Sequence, residues 1–286
     1  MSDTNEKPKR KNDDRSVEWS FDFAKLGESV RGVFDTLAGD AEVQESHFSA
    51  TRDGVNSARL DIDFSVGKGY ITVLEDGSDL LFEATIRHIG ELTFQETQDG
   101  EHSKRIQLRQ KRKIGNIASP FRQGFRAMAD NEKLEWHIKV APDVALSLDI
   151  DGGVGPTKLD LTGLDVRHME VDAGVGKLTV MLPQQDNTIT AEIDGGVGQT
   201  QVYIPDGTDM NLEIDGGVGS IDVTVAPGTA LKVKTEKGIG SIKLPSGMTR
   251  DGSTSKTDGY DLAERHVNVR YDGGVGSFTV REAEII

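Results

Sequence analysis

The sequence contains no cysteine. Disulfides, thiolate metal centres and a cysteine nucleophile are excluded at once. It has no run of about 18 apolar residues, so no stretch reads as a membrane-spanning helix. The opening residues, MSDTNEKPKRKNDDRS, are polar and lack the apolar core of a secretion leader. These absences predict a cytoplasmic chain, peripheral to a membrane at most. Positive charge is also in deficit: 33 Lys and Arg stand against 48 Asp and Glu, a formal net charge of −15. Affinity for nucleic acid rests on neutralising phosphates, so no nucleic-acid partner is expected.

Catalytic signatures are missing as well. His47, His88, His102, His137, His168 and His266 show no metal-ligand spacing. No GxSxG elbow is present. The expectation is a non-enzymatic protein without a cofactor.

Glycine, by contrast, is abundant, at 33 of 286 residues, and it is periodic. DGGVG occurs at 151–155, 194–198, 215–219 and 272–276, with DAGVG at 172–176 and EKGIG at 236–240. Successive first residues are 21, 22, 21, 21 and 36 apart. The long last step carries an insertion, SGMTRDGSTSKTDGYD.

Each unit has one pattern. An alternating strand precedes the glycines, as in Met210, Leu212 and Ile214, and another follows, as in Ile221, Val223 and Val225. Alternation turns one face inward and one outward. The second strand often ends at a turn such as IPDGT (204–208) or VAPGT (225–229). One such unit cannot bury its own face and must stack on another. The sequence therefore predicts an all-β chain, a β-solenoid of eight or nine coils over residues 41–286. Weaker copies of the pattern stand at DIDFSVGKGYITV (61–73), IRHIGELTF (86–94) and KRKIGNI (111–117). Excursions are expected at 111–131 and 246–262. A polar tail, 1–16, and an amphipathic helix, 17–40, precede the stack.

A phosphate cradle would need a following helix and a GK[ST] motif after the glycines, and neither follows any copy. The turn glycines are instead assigned to backbone geometry: Gly152, Gly153, Gly155, Gly174, Gly176, Gly195, Gly196, Gly198, Gly216, Gly217, Gly219, Gly238, Gly240, Gly273, Gly274 and Gly276. There a β-carbon would strike the neighbouring coil. Asp151, Asp172, Asp194 and Asp215 share one repeat position with Glu236 and Asp272. Each carboxylate either caps its own turn or shares a cation, calcium being the candidate, with its neighbours.

Two stretches break the pattern. Phe23, Leu26, Val30, Val33 and Leu37 fall at helical spacing. This helix caps the open end of the stack, binds a partner or a second copy, or contacts a membrane. Around Phe121, Phe125 and Met128 lie Lys111, Arg112, Lys113, Arg122 and Arg126. This basic and apolar patch either covers a solenoid face or docks on an anionic membrane or an acidic partner.

SARLDIDFSVGKGYITV, LEWHIKVAPDVALSLDIDGGVGPTKLDLTGLDV and MEVDAGVGKLTVMLP resemble the bacterial toast-rack family over roughly residues 45–245. The resemblance implies a β-solenoid domain of cell-envelope stress proteins and adhesins. It supplies no catalytic residues. Many relatives carry membrane helices or secretion signals, and neither is read here. The leading expectation is a scaffold for a protein partner. The alternatives are a solenoid that self-assembles into filaments, and an adhesin-like or calcium-binding surface module.

Overall fold

The computed structural model describes residues 43–111, 134–236 and 238–284. They form two sheets facing one another across an extended apolar core, with a small second cluster at one corner. In spatial order the first sheet is β1 (Gln44–Thr51), β4 (Leu80–His88), β7 (Glu135–Val140), β3 (Lys68–Val73), β9 (Thr157–Asp160), β11 (Val175–Met181), β13 (Val197–Ile204), β15 (Val218–Val225), β21 (Val275–Glu282) and β17 (Ile239–Lys243). The second is β5 (Leu92–Gln98), β6 (Ser103–Gln110), β2 (Ser57–Asp63), β8 (Ala145–Asp151), β10 (Asp165–Asp172), β12 (Ile189–Asp194), β14 (Met210–Asp215), β20 (Val267–Asp272), β16 (Leu231–Thr235), β19 (Thr254–Lys256) and β18 (Thr249–Asp251).

Alternation builds each strand. In β12, Ile189, Ala191 and Ile193 are buried, whereas Thr190, Glu192 and Asp194 are exposed. In β13 the inward residues are Thr200, Val202 and Ile204. A rung consists of one strand of the second sheet, a glycine corner and one strand of the first. Among the described residues there are seven: β2/β3, β8/β9, β10/β11, β12/β13, β14/β15, β20/β21 and β16/β17. β6 and β7 pair with β2 and β3 as the two strands of a further level, written β6/β7, whose connection lies outside the described residues. Neighbouring rungs pair in parallel throughout, as β11 with β13 and β13 with β15.

The stack does not follow chain order. The last rung, β20/β21, lies between β14/β15 and β16/β17. The chain first builds β16/β17 one place too far out, then returns to fill the gap. Residues of the 246–262 excursion make the return: β18 and β19 form a hairpin that pairs antiparallel with β16 and covers that end of the second sheet. The same device operates at the other end, where β2/β3 lies between β6/β7 and β8/β9.

Two of the weaker sequence copies can be placed. DIDFSVGKGYITV forms the rung β2/β3, with Ser65 at a positive φ of 52° in the glycine position. IRHIGELTF is not a rung. It runs from the first sheet to the second, because β4 pairs antiparallel with β7 and β5 antiparallel with β6. Its alternation resembles a rung because β-alternation carries no direction. KRKIGNI lies outside the described residues beyond Lys111. Phe48, Phe94 and Phe82 close this end, with ring centroids 5.0 and 5.8 Å apart. The predicted helix at 17–40, with Phe23, Leu26, Val30, Val33 and Leu37, lies outside the described residues.

Candidate functional site: the glycine edge and the acidic face

The repeated corner brings three columns together along one long edge. The first is acidic. Asp63, Asp151, Asp172, Asp194, Asp215 and Asp272 stand in register at the ends of their strands. The second is glycine. Gly153, Gly174, Gly196, Gly217 and Gly274 lend carbonyl oxygens to the amides of the next rung, as Val197 N–H donates to Gly174 O over 2.8 Å and Val218 N–H to Gly196 O over 2.8 Å. Pairing therefore continues around the corner. This is why a side chain is barred there: a β-carbon on Gly176 would overlap the carbonyl of Gly155, and Gly176 itself has a φ of +149°. The equivalent glycines of the other rungs meet the same obstruction.

The third column is apolar. Val175, Val197, Val218, Val275 and Ile239 pair in register at the start of the first-sheet strands. They point outward, with exposures from 38% to 75%.

Only some acids of the first column cap their own turns. The Asp172 carboxylate accepts the Gly174 N–H at 2.8 Å, and Asp63 accepts the Ser65 N–H at 3.0 Å. Among the described residues, Asp151, Asp194 and Asp215 accept no such bond, and no group of three or more His, Cys, Asp or Glu is gathered to hold a metal ion. Burial, together with the neighbouring charges of Asp63, Asp172 and Asp149, pushes the Asp151 carboxyl above the usual carboxylate range, against the pull of Arg109.

A second acidic column lies two residues back on the same outer face: Asp149, Glu170, Glu192 and Glu213. The period-2 rule could have found it, since these residues share parity with the first column. Basic residues bracket this acidic field. Arg59 meets Asp149 at one end, and Arg270 meets Glu213 at the other. Among the described residues, the carboxylates of Glu170, Asp172, Glu192, Asp194 and Asp215 have no ion-pair partner.

A buried knot sits at the arginine-rich end. Asp61 is 2% exposed and is reached by Arg59 at 3.0 Å, Arg105 at 2.9 Å and Gln107 at 2.8 Å. Burial opposes its ionisation, but the hydrogen bonds from Gln107, Arg59 and Arg105 outweigh it and hold the carboxyl below the usual range. Nearby, the buried Lys104 ammonium donates to Thr51 O and to Asp53, each at 2.7 Å, and pairs with Glu96. These contacts join distant strands and no sequence pattern announces them.

The six histidines are dispersed. His137 stacks on Tyr70, His47 meets Glu45, and His266 approaches the Tyr260 carbonyl. Buried His88 contacts Ser46 at 2.9 Å, and burial lowers its basicity. Of the predicted basic patch, only Lys111 is described, where it pairs with Glu91 at 3.1 Å. Arg112, Lys113, Phe121, Arg122, Phe125 and Arg126 lie outside the described residues. No described helix is long and apolar enough to cross a membrane.

Comparison with known proteins supports the architecture. A search of curated proteins finds no match. Among solved structures, a "putative cell adhesion protein" from Clostridium sporogenes ATCC 15579 is similar, with a TM-score of 0.57 and 19% identity over 85% of this chain and 100% of its own. A "putative adhesin" from Bacteroides fragilis NCTC 9343 aligns with 15% identity over 85% of this chain and 98% of its own, at a TM-score of 0.31. The first likeness is one of fold. The family model described as the N-terminal domain of toast_rack, DUF2154, matches residues 39–203, more than half of the chain. The chain therefore belongs to the toast-rack family.

Proposed function

We propose that this protein is a non-enzymatic β-solenoid scaffold that holds a protein partner on its long faces, in the service of membrane or envelope stress. The observation that carries this reading is the register of its surface. Equivalent side chains recur rung after rung, so one face offers a ruled acidic field and one edge a ruled apolar stripe. Such surfaces suit extended partners rather than a small substrate. The stress setting rests on the family resemblance alone. Contact of the basic segment around Lys111 with anionic membrane is a separate element of the proposal, and liposome flotation tests it.

End-to-end filament growth is less well supported. One end is closed by the antiparallel strands β1, β4 and β5, and a head-to-tail polymer needs both ends open to parallel pairing. Affinity capture on the immobilised full-length protein, followed by reconstitution of the purified pair, tests the scaffold reading. A stoichiometric complex supports it. Turnover of a small molecule by the purified chain, or failure of every captured protein to rebind, would refute it.

A further inference from the structure

The apolar stripe of the glycine edge changes character along its length. Isolated bridges extend it from Val175 to Val154 and Val66. Those two valines are only 8% exposed, because Leu134 and Ile89 pack over them and Val43 adds to the cover. Val175, Val197, Val218 and Val275 occupy the same repeat position without cover, at 46%, 38%, 38% and 43% exposure, and Ile239 reaches 75%. The chain itself thus shows what the stripe accepts: aliphatic side chains laid across the glycine corner. A contiguous apolar stripe left open on a soluble surface marks a place of contact.

Its neighbours define the charge of what contacts it. The column Asp172, Asp194, Asp215 and Asp272 runs parallel to the stripe, separated from it by the two residues of each corner. Among the described residues, no cation is paired with these four carboxylates. An anionic lipid surface would be repelled, whereas an apolar ridge flanked by Lys or Arg would meet both columns.

Spacing defines its shape. Rungs repeat about every 4.8 Å. An α-helix lying along the solenoid axis advances about 5.4 Å per turn, close to one turn per rung. An extended strand repeats its side chains on one face roughly every 6–7 Å and falls out of step. From Val175 to Ile239 the stripe spans about 19 Å, or roughly 13 residues of helix.

We propose that the Val175–Ile239 stripe and its flanking aspartates form a docking edge for a basic amphipathic helix of a partner protein, one apolar side chain per turn seated between successive valines. The inference rests on the scaffold reading and adds the site and the chemistry of the partner.

The probe is a labelled helical peptide of about 16 residues with leucine once per turn and lysine beside it, titrated against the full chain by fluorescence anisotropy. A matched peptide with glutamate for lysine is the control. Saturable binding of the lysine peptide alone is expected. The triple variant Val175→Thr, Val197→Thr, Val218→Thr keeps β-branching and should weaken binding about tenfold or more. Asp172→Asn, Asp194→Asn, Asp215→Asn should flatten its salt dependence. Circular dichroism melts establish that both variants fold. Absence of binding, equal binding of the glutamate peptide, or indifference to the valine substitutions would overturn the proposal.

Other occupants would overturn it too. A wild-type dimer that the threonine variant dissociates would assign the stripe to a second copy. Valine-dependent flotation with anionic vesicles would assign it to lipid. Because the chain lacks cysteine, Val197→Cys gives a clean thiol probe. A thiol there that resists maleimide in the free protein would show the edge covered by the chain itself. A captured partner that binds the threonine variant unchanged would sink the docking edge and leave the scaffold reading intact.

Discussion

Asp215 stands in register with Asp272, and not with Glu236, the next acid of the repeat along the chain. That single pairing records the intercalation of the last rung, and it changes what holds the C-terminal end together. Phe278 of β21 is fully buried, between Ile221 of β15 and Ile242 of β17, and stacks on Tyr271 at 4.2 Å.

The last rung should therefore behave as an internal one. Phe278→Ala is expected to cost about 3–5 kcal/mol, read from urea unfolding. Hydrogen exchange should show β16 and β17 losing protection together with β20 and β21. If β16 and β17 kept wild-type protection while β20 and β21 opened, the intercalated order would be wrong.

Much of this fold was legible in the sequence, for a local reason. Alternation such as Ile189, Ala191, Ile193 and glycines such as Gly174 and Gly176 are fixed by one rung and its neighbour, so each copy restates the rule. Rung order was not legible. Val267, Val269 and Tyr271 have the same parity as Leu231, Val233 and Thr235, and either set fits beside Met210, Leu212 and Ile214. At the glycine edge, the Asp column was readable from the repeat. The outward valines were readable too, because Val197 shares parity with Gln199 and Gln201 and not with Val202. The Asp61 knot was beyond reach, since Arg105 and Gln107 arrive from a strand 44 and 46 residues away.

That knot makes an acid-sensitive fastener. Asp61 has a native pKa below its ordinary value of 3.8. Its contribution is fully present above 3.8 and is lost as pH falls through that value towards the native one. Asp61→Asn should cost about 2 kcal/mol at neutral pH, less than the roughly 3–5 kcal/mol of a fully buried pair because its arginines are half-exposed. Thermal melts from neutral pH into acid should show the two proteins converging. An unchanged gap would show that the charge is irrelevant.

Asp151 has the opposite sign. Burial and its acidic neighbours raise its native pKa above 3.8. Its favourable contribution is full below 3.8 and is lost as pH rises through the raised value. Asp151→Asn should therefore stabilise the protein at neutral pH, by only a few tenths of a kcal/mol, because the carboxylate, though crowded by the corner, stands at the strand end where water still reaches it and screens its neighbours. The gain should vanish below pH 3.8. A destabilised variant at neutral pH would mean that the carboxylate holds something the column of charges conceals.

The glycine columns separate two reasons for glycine. Gly163 has a positive φ of 81° and no atom within 4 Å of where a β-carbon would stand, whereas Gly176 combines φ +149° with the Gly155 carbonyl in the way. Gly163→Ala should cost only the backbone strain, about 1 kcal/mol. Gly176→Ala must also push two paired rungs apart in a core that does not deform smoothly, and should cost more than about 3 kcal/mol. Denaturant midpoints of the two variants, compared at equal m-value, decide the matter. Equal midpoints would mean that rung spacing at the corner is soft, and the carbonyl ladder would then not be what fixes the edge.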